Sequence, residues 1–165
     1  FIQSFVKNGN FVFYEMGFRL TGTLEYHILS KTNNINILEH LIRFAITGKM
    51  SENPLYNRIV PNTEKFGGNI TFLLKPGKIG RIDGESEILE LPEVTSCFIS
   101  YEEGDVIPDR AVGTLLQVIA RVFFVTNSKL ELINVMNAIH GIFRVYSADG
   151  QNMLLKTLDT RELMN

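Results

Sequence analysis

FIQSFVKNGNFVFYE, residues 1–15, is the stretch on which the reading of the whole chain turns. Two short apolar runs rich in Phe and Val flank Asn8 and Gly9, the strongest short-range signal for a β-hairpin. A two-residue loop would set Gln3 against Tyr14 and Glu15 against Ile2. A three-residue loop, 8–10, would pair Phe5 with Phe13, Val6 with Val12 and Gln3 with Glu15. Directly opposed residues share a face at a Cβ spacing of about 4.5–5.5 Å. The second register groups the two polar side chains instead of placing a carboxylate against Ile, and is the one we expect. Arg19 follows Glu15 by four residues, beyond Gly17, so the hairpin delivers an acid and a guanidinium to one loop. Such a pair suits a metal ion beside an anion, although a hairpin with polar ends accounts for the same periodicity.

Composition sets the frame around this hairpin. The chain has 165 residues, 45% hydrophobic and 21% charged, which is enough to bury a core in one or two compact units. A net charge of −2 gives no electrostatic case for nucleic acid or an anionic membrane. No apolar run reaches the roughly 18 residues of a membrane helix, and no signal peptide is read at residue 1. The single cysteine, Cys97, has no partner for an internal disulfide and reads as a reduced core residue. The cytoplasm is therefore the expected compartment.

Gln3, the Asn8-Gly9 turn, Glu15 and Arg19 resemble the last hairpin of the ATP-grasp ligase fold, the family of biotin carboxylase, the large subunit of carbamoyl-phosphate synthetase and amino-acid ligases. The family motif is a Glu, about a dozen residues with an NG-type turn, then Glu-x-Asn-x-Arg. The resemblance implies that Glu15 holds Mg²⁺ on ATP and that Arg19 is the catalytic residue steadying the acyl-phosphate intermediate or the substrate carboxylate. Gln3 stands where the family has its first metal Glu, and Gly17 where it has Asn. Mg²⁺ usually takes one or two carboxylates together with phosphate oxygens and water. Glu15 with Gln3 as auxiliary ligand thus implies one ion rather than two.

The resemblance also implies a C-terminal fragment of a longer ligase. The chain opens on Phe within a strand, and neither GxxxxGK[ST] nor GxGxxG is present to replace the missing phosphate loop. The expected partners are ATP, a small carboxylate or amine substrate and the missing N-terminal domains of the same protein. Dimer contacts are a further role that the family implies for the C-terminal domain. The fragment alone is not expected to turn over substrate.

Along the chain, residues 17–22 read as a loop and 23–30 as a short helix on which Glu25 and His27 face solvent. A clearer helix starts at the Asn36 cap, with Glu39 completing a capping-box pair, and stops at Gly48. His40 and Arg43 lie on its polar side. Residues 51–68, broken by Pro54, Pro61, Gly67 and Gly68, read as a linker. Strands are expected at 69–75, 78–82, 94–101, 114–126, 142–146 and 153–155, with a short helix at 85–91. A longer helix is capped by Ser128 and Glu131 and closed by Gly141, with Leu132, Ile133, Met136 and Ile139 inward.

Strands, one good helix and strands again argue for an α+β unit, an antiparallel sheet covered by a helix. The segments LLKPGKIGRIDG, YEEGDVI, GTLLQ and VYSADGQNMLL resemble, in that order, the small C-terminal domain of ATP-grasp ligases. The expected organisation is 1–50 as the C-terminal part of an ATP-grasp domain, 51–68 as linker and 69–165 as the C-terminal α+β domain. Arg81, Arg110 and Arg121 are candidates for contacts beside the cleft, or solubility devices at sheet edges. Two other readings stay open: a catalytically degenerate relative kept as a binding or scaffold subunit, and an α+β interaction module unrelated to the family.

Overall fold

The computed structural model describes residues 1–52 and 64–164, which fall into two compact units divided between Pro61 and Asn62. The expected prolines of the linker, Pro54 and Pro61, lie outside the described residues.

In the first unit, β1 (Ile2–Lys7) and β2 (Asn10–Met16) form an antiparallel hairpin. Asn8 (φ 53°) and Gly9 (φ 77°) are both left-handed, the conformation of a two-residue type I′ turn that matches the twist of the strands. The three-residue loop expected above is therefore incorrect: Phe5 pairs with Val12 and Val6 with Phe11. Gln3 nevertheless faces Glu15, because the register shifts between Gln3 and Ser4 and leaves Tyr14 as an extra residue on β2. A β-bulge of this kind re-aims the side chains beyond it. Phe1 and Gly17 extend the ladder, exchanging N–H···O bonds of 2.7 and 2.9 Å.

Two helices follow, α1 (Tyr26–Asn33) and α2 (Ile37–Thr47). Helix α1 starts three residues later than the pattern predicts, since Leu24 sits at φ 68°, a backbone state no helix interior tolerates. The caps of α2 are those read from sequence. The Asn36 side chain accepts from the Glu39 N–H at 3.1 Å, and Gly48 (φ 71°) returns its N–H to Phe44. No residue from 1 to 52 is fully buried.

The second unit contains two three-stranded antiparallel sheets. The first orders β3 (Phe66–Leu73), β7 (Val118–Thr126) and β5 (Val94–Ile99), with β7 in the middle. The second orders β6 (Val106–Ile107), β4 (Gly77–Asp83) and β8 (Arg144–Ser147). A short α3 (Glu85–Leu89) and a long α4 (Lys129–Ile142) complete it. Strand β3 begins at Phe66, so Gly67 and Gly68 belong to a strand rather than to a linker. Glycine is needed there by close approach: a Cβ on Gly68 would lie 2.3 Å from the Phe124 ring. Strand β7 begins at Val118, not 114, because Thr114 caps a 3₁₀ turn by accepting from the Leu116 N–H at 3.2 Å.

Ser128 and Glu131 cap α4 as expected: the Ser128 hydroxyl accepts from the Glu131 N–H, and the Glu131 carboxylate reaches back to the Asn127 N–H at 2.9 Å. Gly141 does not end the helix; it lies inside it, and the chain passes straight through buried Phe143 into β8. Ile133, Val135, Met136 and Ile139 are the buried residues of α4; Val135, Met136 and Ile139 join Phe72, Phe124, Phe143, Ile119 and Val145 in one core, with Leu132 packed against it. Among the described residues no helix is long and apolar enough to cross a membrane.

Candidate functional site

The residues singled out by sequence meet at the end of the hairpin away from its turn. Gln3 and Glu15 are directly paired across the ladder and so project from the same face, both exposed. Glu15 makes no hydrogen bond or ion pair with any described residue, which leaves all its carboxylate lone pairs to solvent or a ligand. Beyond the bulge the chain enters the loop through Gly17.

Arg19 is not paired with Glu15. Its guanidinium carbon lies 4.7 Å from the centroid of the Phe1 ring, a cation–π contact, and its Nη1 donates to the Leu20 carbonyl at 3.0 Å. The same Phe1 ring covers Gly17, where a Cβ would come within 2.7 Å of it. Phe1, Gly17 and Arg19 thus form a stack that spacing in the sequence did not reveal. The signal that was available is the identity of Gly17 itself, a residue without a side chain beside an aromatic strand partner.

As a place for Mg²⁺, this end supplies one carboxylate and one amide oxygen. Among the described residues no group of three or more His, Cys, Asp or Glu comes together to hold a metal by itself. Those two oxygens fit the mode in which Mg²⁺ keeps waters and relies on phosphate oxygens for the rest of its shell. They do not fit a closed protein cage, and Gly17 adds nothing to the set.

The remaining candidates separate into structural roles. The Glu25 carboxylate accepts from the Thr21 hydroxyl ahead of α1, and the His27 ring packs 4.5 Å from Tyr26, where burial lowers its pKa. His40 Nδ1 meets the Met50 carbonyl at 2.8 Å, tying α2 to the segment after it. Arg81 pairs with Asp83 at 2.8 Å and lies over Tyr146. Arg110 is exposed on a 3₁₀ turn. Arg121 sits on the central strand β7 opposite Thr71 and Phe98, so it is not at a sheet edge. Cys97 is half-buried, and burial, with the nearby Glu85 charge as a smaller contribution, pushes its thiol up to about 11. That position is inert rather than nucleophilic.

Comparison with known proteins separates sequence from fold. No family model and no curated protein matches the sequence. The structure, however, superposes on phosphoribosylglycinamide synthetase from Anaerococcus prevotii with a TM-score of 0.70 at 13% identity, covering 88% of this chain and 36% of that one. It also superposes on an L-amino acid ligase from Bacillus licheniformis with a TM-score of 0.67 at 17% identity, covering 86% of this chain and 34% of that one. The chain therefore shares its fold with part of each of these two structures. The chain spans about a third of the length of either structure.

Proposed function

We propose that the chain is the C-terminal part of an ATP-dependent ligase of the ATP-grasp kind, one that phosphorylates a carboxylate and passes it to an amine or, in a carbamoyl-phosphate-synthetase-like variant, to a related nucleophile. The observation that carries this reading is the pairing of unpartnered Glu15 with Gln3 on an exposed hairpin face, within a fold shared with two ligases. Residues 1–50 would close the ATP-grasp domain, and the C-terminal α+β domain would begin with β3 at Phe66, after the linker. ATP, a small acid or amine and the rest of the ligase chain are the partners, in the cytoplasm.

In this reading Glu15, helped by the Gln3 amide oxygen, holds Mg²⁺ on ATP, and the ion when bound offsets charge on the phosphate oxygens. Arg19 places a fixed positive charge one loop away, where an acyl phosphate or carboxylate needs it. Its stack on Phe1 limits the rotamers it must give up on meeting an anion.

One observation favours a second reading, a degenerate relative that binds without turnover. The Phe1 ring fills the space beside Gly17 that a third ligand side chain would need.

A thermal-shift titration of the full-length protein with ATP, with and without Mg²⁺, separates these. Saturating nucleotide at about 100 times its Kd stabilises by roughly 2.7 kcal/mol. We expect that shift to require Mg²⁺ and to be lost in Glu15→Ala. An unchanged Mg²⁺ dependence in the variant removes Glu15 from the site. A normal shift with no ADP formed in the presence of acids and amines selects the degenerate reading.

A further inference from the structure

The second unit carries a hollow of about 640 Å³ that the hairpin chemistry does not use. It opens where three separate segments converge: Lys75 just past β3, His140 and Arg144 at the junction of α4 and β8, and Lys156 in the C-terminal tail. Asn152 and Thr157 add an amide and a hydroxyl, and Phe72, Leu154 and Leu155 supply an apolar floor. No Asp or Glu lines it, in a chain whose net charge is −2. Its size is that of small-molecule sites, which pair apolar walls with a few placed polar groups.

The electrostatics are organised by Arg144. Its Nη1 donates to the His140 and Phe143 carbonyls, both at 2.7 Å, which offsets the partial negative charge at the end of α4. Nε and Nη2 make no hydrogen bond to any described residue, so the guanidinium is anchored on one side and open on the other. Lys75 Nζ is steered by the Asn152 carbonyl at 3.2 Å, and the His140 ring is braced edge-on against Phe72 at 5.8 Å. The carboxylate near Lys156, Asp159, is engaged by the Arg161 guanidinium at 2.5–3.0 Å and does not enter the lining.

We propose that this hollow binds a small phosphorylated organic molecule, the phosphate meeting Lys75, Arg144 and Lys156 and the organic part lying on Phe72, Leu154 and Leu155. Three cations with no acid in the lining, two of them anchored by backbone carbonyls, match a dianion better than a single carboxylate, and the planar fork of Arg144 presents its remaining donors as phosphate oxygens require. The hollow lies wholly within the second unit, so this assignment stands apart from the hairpin reading.

The test is a backbone-amide NMR titration of the 165-residue chain with phenyl phosphate, benzoate and inorganic phosphate as probes. Phenyl phosphate should give saturable shifts centred on Lys75, His140, Arg144 and Lys156, with affinity roughly tenfold above that for benzoate, since charge-assisted contacts to the dianion are stronger. Inorganic phosphate should shift the same amides more weakly, because it leaves the apolar floor uncovered. The double variant Lys75→Ala, Lys156→Ala removes two exposed side chains, so its melting temperature should hold while phenyl phosphate affinity falls about tenfold. Glu15→Ala should leave the titration unchanged, which separates failure here from failure at the hairpin. Shifts that do not saturate or that spread over every surface lysine, equal affinity for benzoate, or an unaffected double variant would each overturn the assignment.

Discussion

Phe13 and Phe124 both sit in antiparallel strands, yet Phe13 is 66% exposed and Phe124 is completely buried. The same division runs through the molecule. In the first unit Ile2, Phe5, Val6, Phe11, Phe13 and Met16 all lie open on the hairpin, whose cohesion comes from its ladder and its turn. In the second unit, equally apolar strands close around Phe72, Phe124 and Phe143 under α4. An isolated two-stranded hairpin is marginal in water, whereas three strands with a helix on one face carry their own core. The second unit encloses its own core, whereas no residue described in the first unit is fully buried.

The sharpest way to break that comparison is truncation in each region. Phe124→Ala should cost about 3–5 kcal/mol in urea unfolding of the second unit, through lost burial and the cavity left behind. Phe13→Ala should change that transition by less than about 0.5 kcal/mol, as surface substitutions do. Equal costs would mean that the hairpin apolar residues are already packed. Overfilling comes next: Gly68→Val drives a side chain into the buried Phe124 ring and should destabilise by about 1–3 kcal/mol in the same assay.

A smaller and local effect is expected from Asn36→Ala. Losing the side-chain bond to the Glu39 N–H should cost about 1 kcal/mol, read as faster amide exchange in α2 with no change in α4.

The smallest effect concerns pH. Burial lowers the His140 pKa below its ordinary 6.5, so the unfolded chain binds its proton first as pH falls. Stability is therefore full above pH 6.5 and declines below it, down to the depressed native pKa. His140→Gln should flatten the pH dependence of the second unit's melting temperature in that window while leaving the first unit unaffected.

What the sequence carried legibly was local chemistry. Asn8-Gly9 specified its turn, Asn36 and Ser128 their helix starts, and Gly48 a helix stop, because each rests on one backbone conformation or one short hydrogen bond. Features that depend on distant packing were not legible. Gly68 reads as a linker glycine until Phe124 is seen against it, and Leu24 gives no residue-type warning of its positive φ. The facing of Gln3 and Glu15 was expected from a longer loop and arises instead from a bulge at Tyr14.

At the candidate site, Glu15 and Arg19 are visible by spacing, but the Phe1 ring that fills the side of Gly17 and holds Arg19 is a three-dimensional fact. The basic hollow is further from view. Lys75, His140, Arg144 and Lys156 follow no motif, and only the convergence of β3, β8 and the tail gathers them.

The most direct measurement of the central claim uses Mn²⁺ in place of Mg²⁺ with ATP on the full-length protein, following paramagnetic broadening of assigned amides. Broadening concentrated at Gln3 and Glu15 and abolished by Glu15→Ala is the result this account predicts. Broadening centred elsewhere, or identical in the variant, would contradict it.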